Sequence, residues 1–251
     1  MRFYKCMLLY FVCTCSVLAV GESIVYEVDG LSYESYYNSP GKGAPLVLLI
    51  HDWDGLTDYE IRRANMLVDL GYAVFAADLY GKGIRPTEDS EKRRHTGELY
   101  ADREKMRILM EEALNQAGLL GADLQQTVAI GYCFGGAAVL ELARSGKPLR
   151  GFVTFHGGLS TPDGQDYSRT QGKILVFHGT ADSAISMDDF ARLGNELERY
   201  GISHELVSYG GAPHAFTVFG SERYRADADM ASWRRFIQFL DENIGGQKLS
   251  D

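Results

Sequence analysis

The sequence predicts an α/β fold in which helices cover both faces of a mostly parallel central sheet. Three observations predict it. Short apolar runs alternate along the chain with longer helical patterns. The run Pro45 to Ile50 (PLVLLI) is apolar without a break, as expected of a strand buried on both faces. The stretch Thr127 to Leu142 (TVAIGYCFGGAAVLEL) reads as strand, tight glycine-rich turn and helix.

The elements follow in order. Ser23 to Val28 and Leu31 to Tyr37 alternate around Asp29-Gly30, a hairpin signal. After the Pro45 strand, His51-Asp52-Trp53-Asp54-Gly55 forms a loop. Thr57-Asp58-Tyr59-Glu60 is a capping box. The helix behind it repeats Ile61, Ala64, Leu67 and Val68 on one face and stops at Gly71. Tyr72 to Ala76 is a buried strand that ends in Asp78-Leu79-Tyr80-Gly81. Thr87 to Ala117 is polar and helical, with a break expected near Gly97. Val128 to Ile130 is the strand before the glycine-rich turn, and Ala137 to Leu142 the helix after it. Phe152 to Phe155, Lys173 to Phe177 and His204 to Ser208 complete the strands. Asp189 to Tyr200 is a helix. Arg225 to Ile244 closes the chain as another, with Met230, Trp233, Ile237, Leu240 and Ile244 on one face. No repeat or linker divides the chain, so residues 22–251 read as one domain.

Composition narrows the class. The 251 residues are 45% hydrophobic and 24% charged, ordinary for a globular domain. A net charge of −9 argues against nucleic acid and anionic membrane surfaces as partners. The first residues stand apart. Met1-Arg2-Phe3-Tyr4-Lys5 is basic, and Cys6 to Val20 is fifteen residues without a charge. Val17 with Ala19, or Ala19 with Gly21, has the spacing of a cleavage site. The apolar run is shorter than the ~20 residues of a spanning helix. Residues 1–21 are therefore expected to be a signal peptide, and the mature chain to be exported, periplasmic or secreted, without an integral membrane span. The bland alternative is a buried first strand or a short anchor. Of four cysteines, Cys6, Cys13 and Cys15 lie in this leader. Cys133 is then the only thiol of the mature chain and has no internal disulfide partner.

Gly131-Tyr132-Cys133-Phe134-Gly135-Gly136 is the context of a nucleophile elbow, with cysteine at the apex where serine is usual. The same spacing also fits a buried structural cysteine on a glycine-rich turn. In α/β sheets the ligand site lies beyond the carboxyl ends of the strands. His178-Gly179-Thr180-Ala181-Asp182 and Pro213-His214-Ala215-Phe216 follow two later strands. The order Cys133, Asp182, His214 is the nucleophile, acid and histidine order of α/β-hydrolases. In that scheme His214 takes the thiol proton or holds an ion pair with the thiolate, and Asp182 orients the imidazole. Backbone N–H groups of Phe134 and Trp53 are the expected oxyanion donors. Asp188 and Asp189 compete with Asp182 but fit better at the start of a helix. His51, His156 and His178 also follow strands and fit hydrogen-bonded loop positions, whereas His95 and His204 read as surface residues. No histidine pair has zinc-site spacing, so no metal is expected.

These motifs, with His51-Asp52-Trp53, Asp78-Leu79-Tyr80 and His214-x-Phe216, resemble those of the dienelactone hydrolase family over nearly the whole chain after the leader. The resemblance implies an α/β-hydrolase fold and a Cys133-Asp182-His214 triad that acts without cofactor on lactones and related esters. It implies that Asp52 pairs with the resting thiol, at a position where glutamate is common. Known members bind a substrate carboxylate through arginines, one of them a few residues past the histidine. Ala215 to Gly220 (AFTVFG) has none, and Arg93 or Arg94 stands in the region of the other. The expected activity is hydrolysis of small-molecule activated esters or lactones through a thioacyl-enzyme. Two rivals remain: a non-catalytic small-molecule-binding scaffold, and a redox-sensing thiol, which would lack a resolving cysteine.

Overall fold

A computed structural model describes residues 21–245. The expected leader therefore lies outside the described residues, Gly21 excepted. Among the described residues eight strands form one sheet: β1 (Glu22–Val28), β2 (Leu31–Asn38), β3 (Pro45–Ile50), β4 (Ala73–Ala77), β5 (Asp123–Tyr132), β6 (Gly151–Phe155), β7 (Lys173–Gly179) and β8 (His204–Tyr209). Their spatial order is β1-β2-β4-β3-β5-β6-β7-β8. The β1–β2 and β2–β4 pairs are antiparallel, and every later pair is parallel. Among the described residues six helices accompany it: α1 (Asp58–Val68), α2 (Asp89–Ala101), α3 (Arg103–Leu119), α4 (Phe134–Arg144), α5 (Met187–Arg199) and α6 (Ala226–Asn243).

The two-sided burial of β3 is explicit. Leu46, Leu48 and Ile50 join a core with Met106, Leu109 and Met110 of α3, Leu142 of α4 and Leu193 of α5. Val47 and Leu49 point the other way, to Ala64 and Leu67 of α1 and Phe236, Phe239 and Leu240 of α6. Alternate residues of one strand thus serve two cores, which is why PLVLLI carries no polar residue. Each such ring or branched side chain contributes about 2 kcal/mol through its removal from water.

Three expectations are corrected. The helical stretch breaks at Asp102, not Gly97. The Asp102 side chain accepts from Lys105 N at 3.0 Å and caps α3, while Gly97 lies inside α2 on its exposed face. On α6, Met230 is 59% exposed; the buried seam runs through Ala228, Ser232, Phe236, Phe239 and Leu240. His95 is buried, stacked 5.1 Å from the Tyr80 ring. The Thr57–Glu60 capping box is present, and Ser186 with Asp189 forms another at the start of α5.

The turn from β5 to α4 depends on glycine. A Cβ on Gly131 would stand 2.1 Å from Gly135 O, and one on Gly135 would stand 2.4 Å from Ile50 O. Both neighbours are backbone and cannot swing away. Gly135→Ala should therefore cost about 1–3 kcal/mol by forcing β3 and α4 apart. A lowered urea midpoint is the expected result, and an unchanged midpoint would show the contact to be slack.

Candidate active site

Cys133 sits at the apex of the turn with φ +49° and ψ −110°, a conformation that a non-glycine residue rarely adopts. Main-chain bonds hold it there. Its N–H donates to Phe155 O at 3.0 Å, and its carbonyl accepts from Gly136 N at 3.1 Å. The thiol is half-buried and lines a pocket of about 350 Å³.

His214 and Asp182 arrive from the loops after β8 and β7. Thr180 N donates to Tyr209 O at 2.9 Å and Ala181 N to Ala212 O at 3.0 Å, so the two loops are laced together. His214 Nε2 lies 3.1 Å from Cys133 Sγ, and His214 Nδ1 lies 2.8 Å from Asp182 Oδ2. The other oxygen of Asp182 accepts from the N–H groups of Ala184 at 2.8 Å and Ile185 at 2.9 Å. Burial raises the pKa of Asp182, but the hydrogen bond and charge of His214 and the two amides outweigh it and hold the carboxyl below its usual range. Asp188 and Asp189 lie in the first turn of α5, as expected.

The loop that carries His214 is anchored from behind. Thr217 Oγ1 meets Tyr59 OH at 2.7 Å and His156 Nε2 at 2.8 Å, and Thr217 O accepts from Arg63 at 2.8 Å. Arg63 is also paired with buried Asp229. His156 abuts the His214 ring edge-on at 5.4 Å. His178 belongs to β7 rather than to a loop. It stacks on Phe190, and neither of its ring nitrogens has a hydrogen-bond partner among the described residues. Burial keeps both imidazoles below their ordinary pKa.

Asp52 faces the thiol. Burial, reinforced by the nearby charge of Asp54, pushes its carboxyl up to about 6. The Cys133 thiol is raised well above its ordinary value by burial first, then by the Asp52 charge and the hydrogen bond between the two side chains. Phe134 N–H, directed at the sulfur, works in the opposite sense. The expected second oxyanion donor is already occupied: Trp53 N donates to Asp52 Oδ1 at 2.6 Å. Asp52 thus holds both the thiol and that amide.

Several pocket residues were not legible in the sequence. Thr96 and Tyr100 of α2, Ile185 and Arg223 line the pocket with Asp52, Trp53, Cys133 and His214. Arg93 lines it too, whereas Arg94 is engaged with Glu91 and Glu98 at the surface. An arginine past the histidine is therefore present after all. Arg223 lies beyond the Ala215–Gly220 window, and the chain returns through the turn at Ser221 and Tyr224 to bring it back. Among the described residues, no three His, Cys, Asp or Glu side chains converge as a metal site requires, and no helix is long and apolar enough to cross a membrane.

The dienelactone hydrolase family model matches residues 33–244. The chain belongs to the dienelactone hydrolase family. It is similar to the crystal structure of a dienelactone hydrolase-like promiscuous phosphotriesterase, P91, from metagenomic libraries. That similarity has a TM-score of 0.84 and 30% identity, covering 91% of this chain and 100% of the other. A structure called m3DLH matches with a TM-score of 0.85 and 31% identity, over 90% of this chain and 99% of its own. A Synechocystis protein provisionally named a carboxymethylenebutenolidase is 23% identical, over 80% of this chain and 87% of its length. The protein is thus a dienelactone hydrolase-like hydrolase with an α/β-hydrolase fold.

The Asp52–Cys133 pair generates a prediction. Above about pH 6 the Asp52 carboxylate is ionised and opposes thiolate formation; below it the repulsion fades. Asp52→Asn should speed iodoacetamide labelling of Cys133 several-fold, with the gain largest above about pH 6 and shrinking below. Equal labelling rates for variant and wild type from about pH 5 to 9 would remove Asp52 from this role.

Proposed function

We propose that the protein hydrolyses activated esters or lactones through Cys133, with a thioacyl-enzyme between two half-reactions. The observation that carries this is the line Cys133 Sγ, His214, Asp182, with separations of 3.1 and 2.8 Å. His214 takes the thiol proton as sulfur attacks the carbonyl carbon. The C–S bond forms, and the carbonyl electron pair moves to oxygen. Phe134 N–H and Trp53 N–H then hold that oxyanion. Trp53 N–H becomes free for this only when the Asp52 carboxylate withdraws. The oxyanion collapses, the C–O bond breaks, and the leaving alkoxide or enolate takes the proton from His214. Water, deprotonated by His214, attacks the thioester carbon; the C–S bond breaks, the carboxylic acid is released, and the thiolate takes the proton back from His214. Asp182 stabilises the imidazolium throughout.

The nucleophile itself limits the substrate. Thiolate is a good leaving group, so a tetrahedral adduct on an amide expels sulfur and reverts. An ester or enol lactone, whose oxygen leaves easily, goes forward. Arg93 and Arg223 at the pocket wall favour substrates that carry a carboxylate, because a guanidinium meets a carboxylate with paired, charge-assisted bonds.

Cys133→Ala should lower turnover of aryl esters and enol lactones at least about 10³-fold with the fold intact. Unchanged hydrolysis by the purified variant would end the proposal. The panel should include an aryl phosphotriester, since a similar protein is a promiscuous phosphotriesterase. Arg93→Ala and Arg223→Ala should each raise KM roughly tenfold for a carboxylate-bearing ester. KM for a neutral ester of the same leaving group should stay nearly constant. Equal effects on both esters would show that the arginines do not read the carboxylate.

A further inference from the structure

The Asp52–Trp53 dipeptide is held on every side. Asp52 N donates to Glu60 Oε1 at 3.2 Å. Asp52 O lies 2.6 Å from His51 Nδ1, and Trp53 O accepts from Tyr80 OH at 3.0 Å. The fourth main-chain group, Trp53 N–H, donates to the Asp52 carboxylate itself. Gly55 N also donates to Asp52 O, at 3.2 Å, within the loop itself. The three side-chain partners come from different places: the end of β3, the first turn of α1 and the turn after β4.

His51 is the best determined of them. It is fully buried. Leu79 N donates to its Nε2 at 3.2 Å, so Nε2 is the unprotonated nitrogen. Nδ1 therefore carries the hydrogen and donates to Asp52 O. Tyr80 packs edge-on at 4.6 Å and Phe134 lies at 5.8 Å, so the ring has no freedom to turn. Burial lowers its pKa to about 4, which keeps this neutral tautomer across ordinary assay conditions. Asp78 fixes the turn from the other side, accepting from Tyr80 N at 3.0 Å and Gly81 N at 3.1 Å.

In a trans peptide the C=O and the following N–H lie in one plane and point in opposite directions. To pin Asp52 O is therefore to aim Trp53 N–H. We propose that His51 is a positioning residue for the oxyanion donor: it pins the Asp52–Trp53 peptide, while Glu60 and Tyr80 pin the peptides on either side of it, so that Trp53 N–H keeps its direction when Asp52 withdraws. This rests on the hydrolase reading above and adds to it the group that sets the donor's direction. The donor is preorganised by the clamp rather than by the substrate, which is the condition for a backbone amide to favour the transition state.

The clamp predicts a defect in chemistry without a defect in binding. His51→Leu keeps an apolar bulk but loses both nitrogens. Its kcat for an aryl ester should fall roughly 10- to 100-fold. KM should stay within about threefold, and so should the rate of iodoacetamide alkylation of Cys133, a reaction with no oxyanion. His51→Gln, whose amide can donate to Asp52 O and accept from Leu79 N, should recover most of the lost kcat. Tyr80→Phe removes only the hydroxyl on Trp53 O and should lower kcat several-fold; it decides the matter if His51→Leu does not fold. Three outcomes overturn the clamp: near wild-type kcat in His51→Leu or in Tyr80→Phe, a Gln variant as impaired as the Leu variant, or alkylation that falls in step with kcat. Turnover that survives Cys133→Ala overturns the hydrolase reading instead, so the two failures are told apart.

Discussion

The site depends on one close backbone contact. Gly135, at the start of α4, leaves no room for a side chain against the carbonyls of Ile50 and His51. That contact brings the ends of two adjacent parallel strands together. One strand delivers Cys133 and Phe134; the other delivers His51, Asp52 and Trp53. Two amides far apart in sequence are thereby brought to one site, Phe134 N–H at the sulfur and Trp53 N–H at the Asp52 carboxylate beside it. A methyl group at position 135 would collide with both carbonyls and force the two strand ends apart.

Around that contact the charges are arranged to hold the thiol quiet at rest. A helix N-terminus and a neighbouring imidazole would ordinarily favour thiolate. Burial and the Asp52 carboxylate oppose this and prevail. The same carboxylate also occupies Trp53 N–H. In the proposed mechanism a single group therefore masks the nucleophile and one oxyanion donor together, and a single displacement unmasks both. A glutamate, one methylene longer, reaches further from its own backbone. Aspartate is well placed to reach the amide of the very next residue, which gives a physical reason for the shorter side chain to work here.

The histidine side of the site is held by polar groups rather than by packing alone. Arg63, Tyr59, Thr217, His156 and Asp229 form a buried set behind the His214 loop. Buried polar groups are costly unless satisfied, so such a network specifies one arrangement of the loop. None of its members touches the pocket. Their contribution is the orientation of the ring that does.

Much of this was legible in the sequence. The apolar run Pro45 to Ile50, the glycines around Cys133 and the capping box at Thr57 are local signals, and each names its own geometry. The order of Cys133, Asp182 and His214 could be read because each follows a strand, and parallel strands end on the same side of a sheet. What stayed hidden was set by packing between distant segments. Arg223 was missed because chain separation from His214 says little about where a returning turn ends. His95 read as a surface residue because its burial comes from Tyr80, on another element. The double hold of Asp52, and the clamp of His51, Glu60 and Tyr80 on a single dipeptide, exist only once β3, α1 and the turn after β4 meet. Local sequence determines which elements form and which residues stand at their ends. Only the tertiary fold decides which of those ends share a hydrogen bond, because that depends on distances between segments that no local pattern encodes.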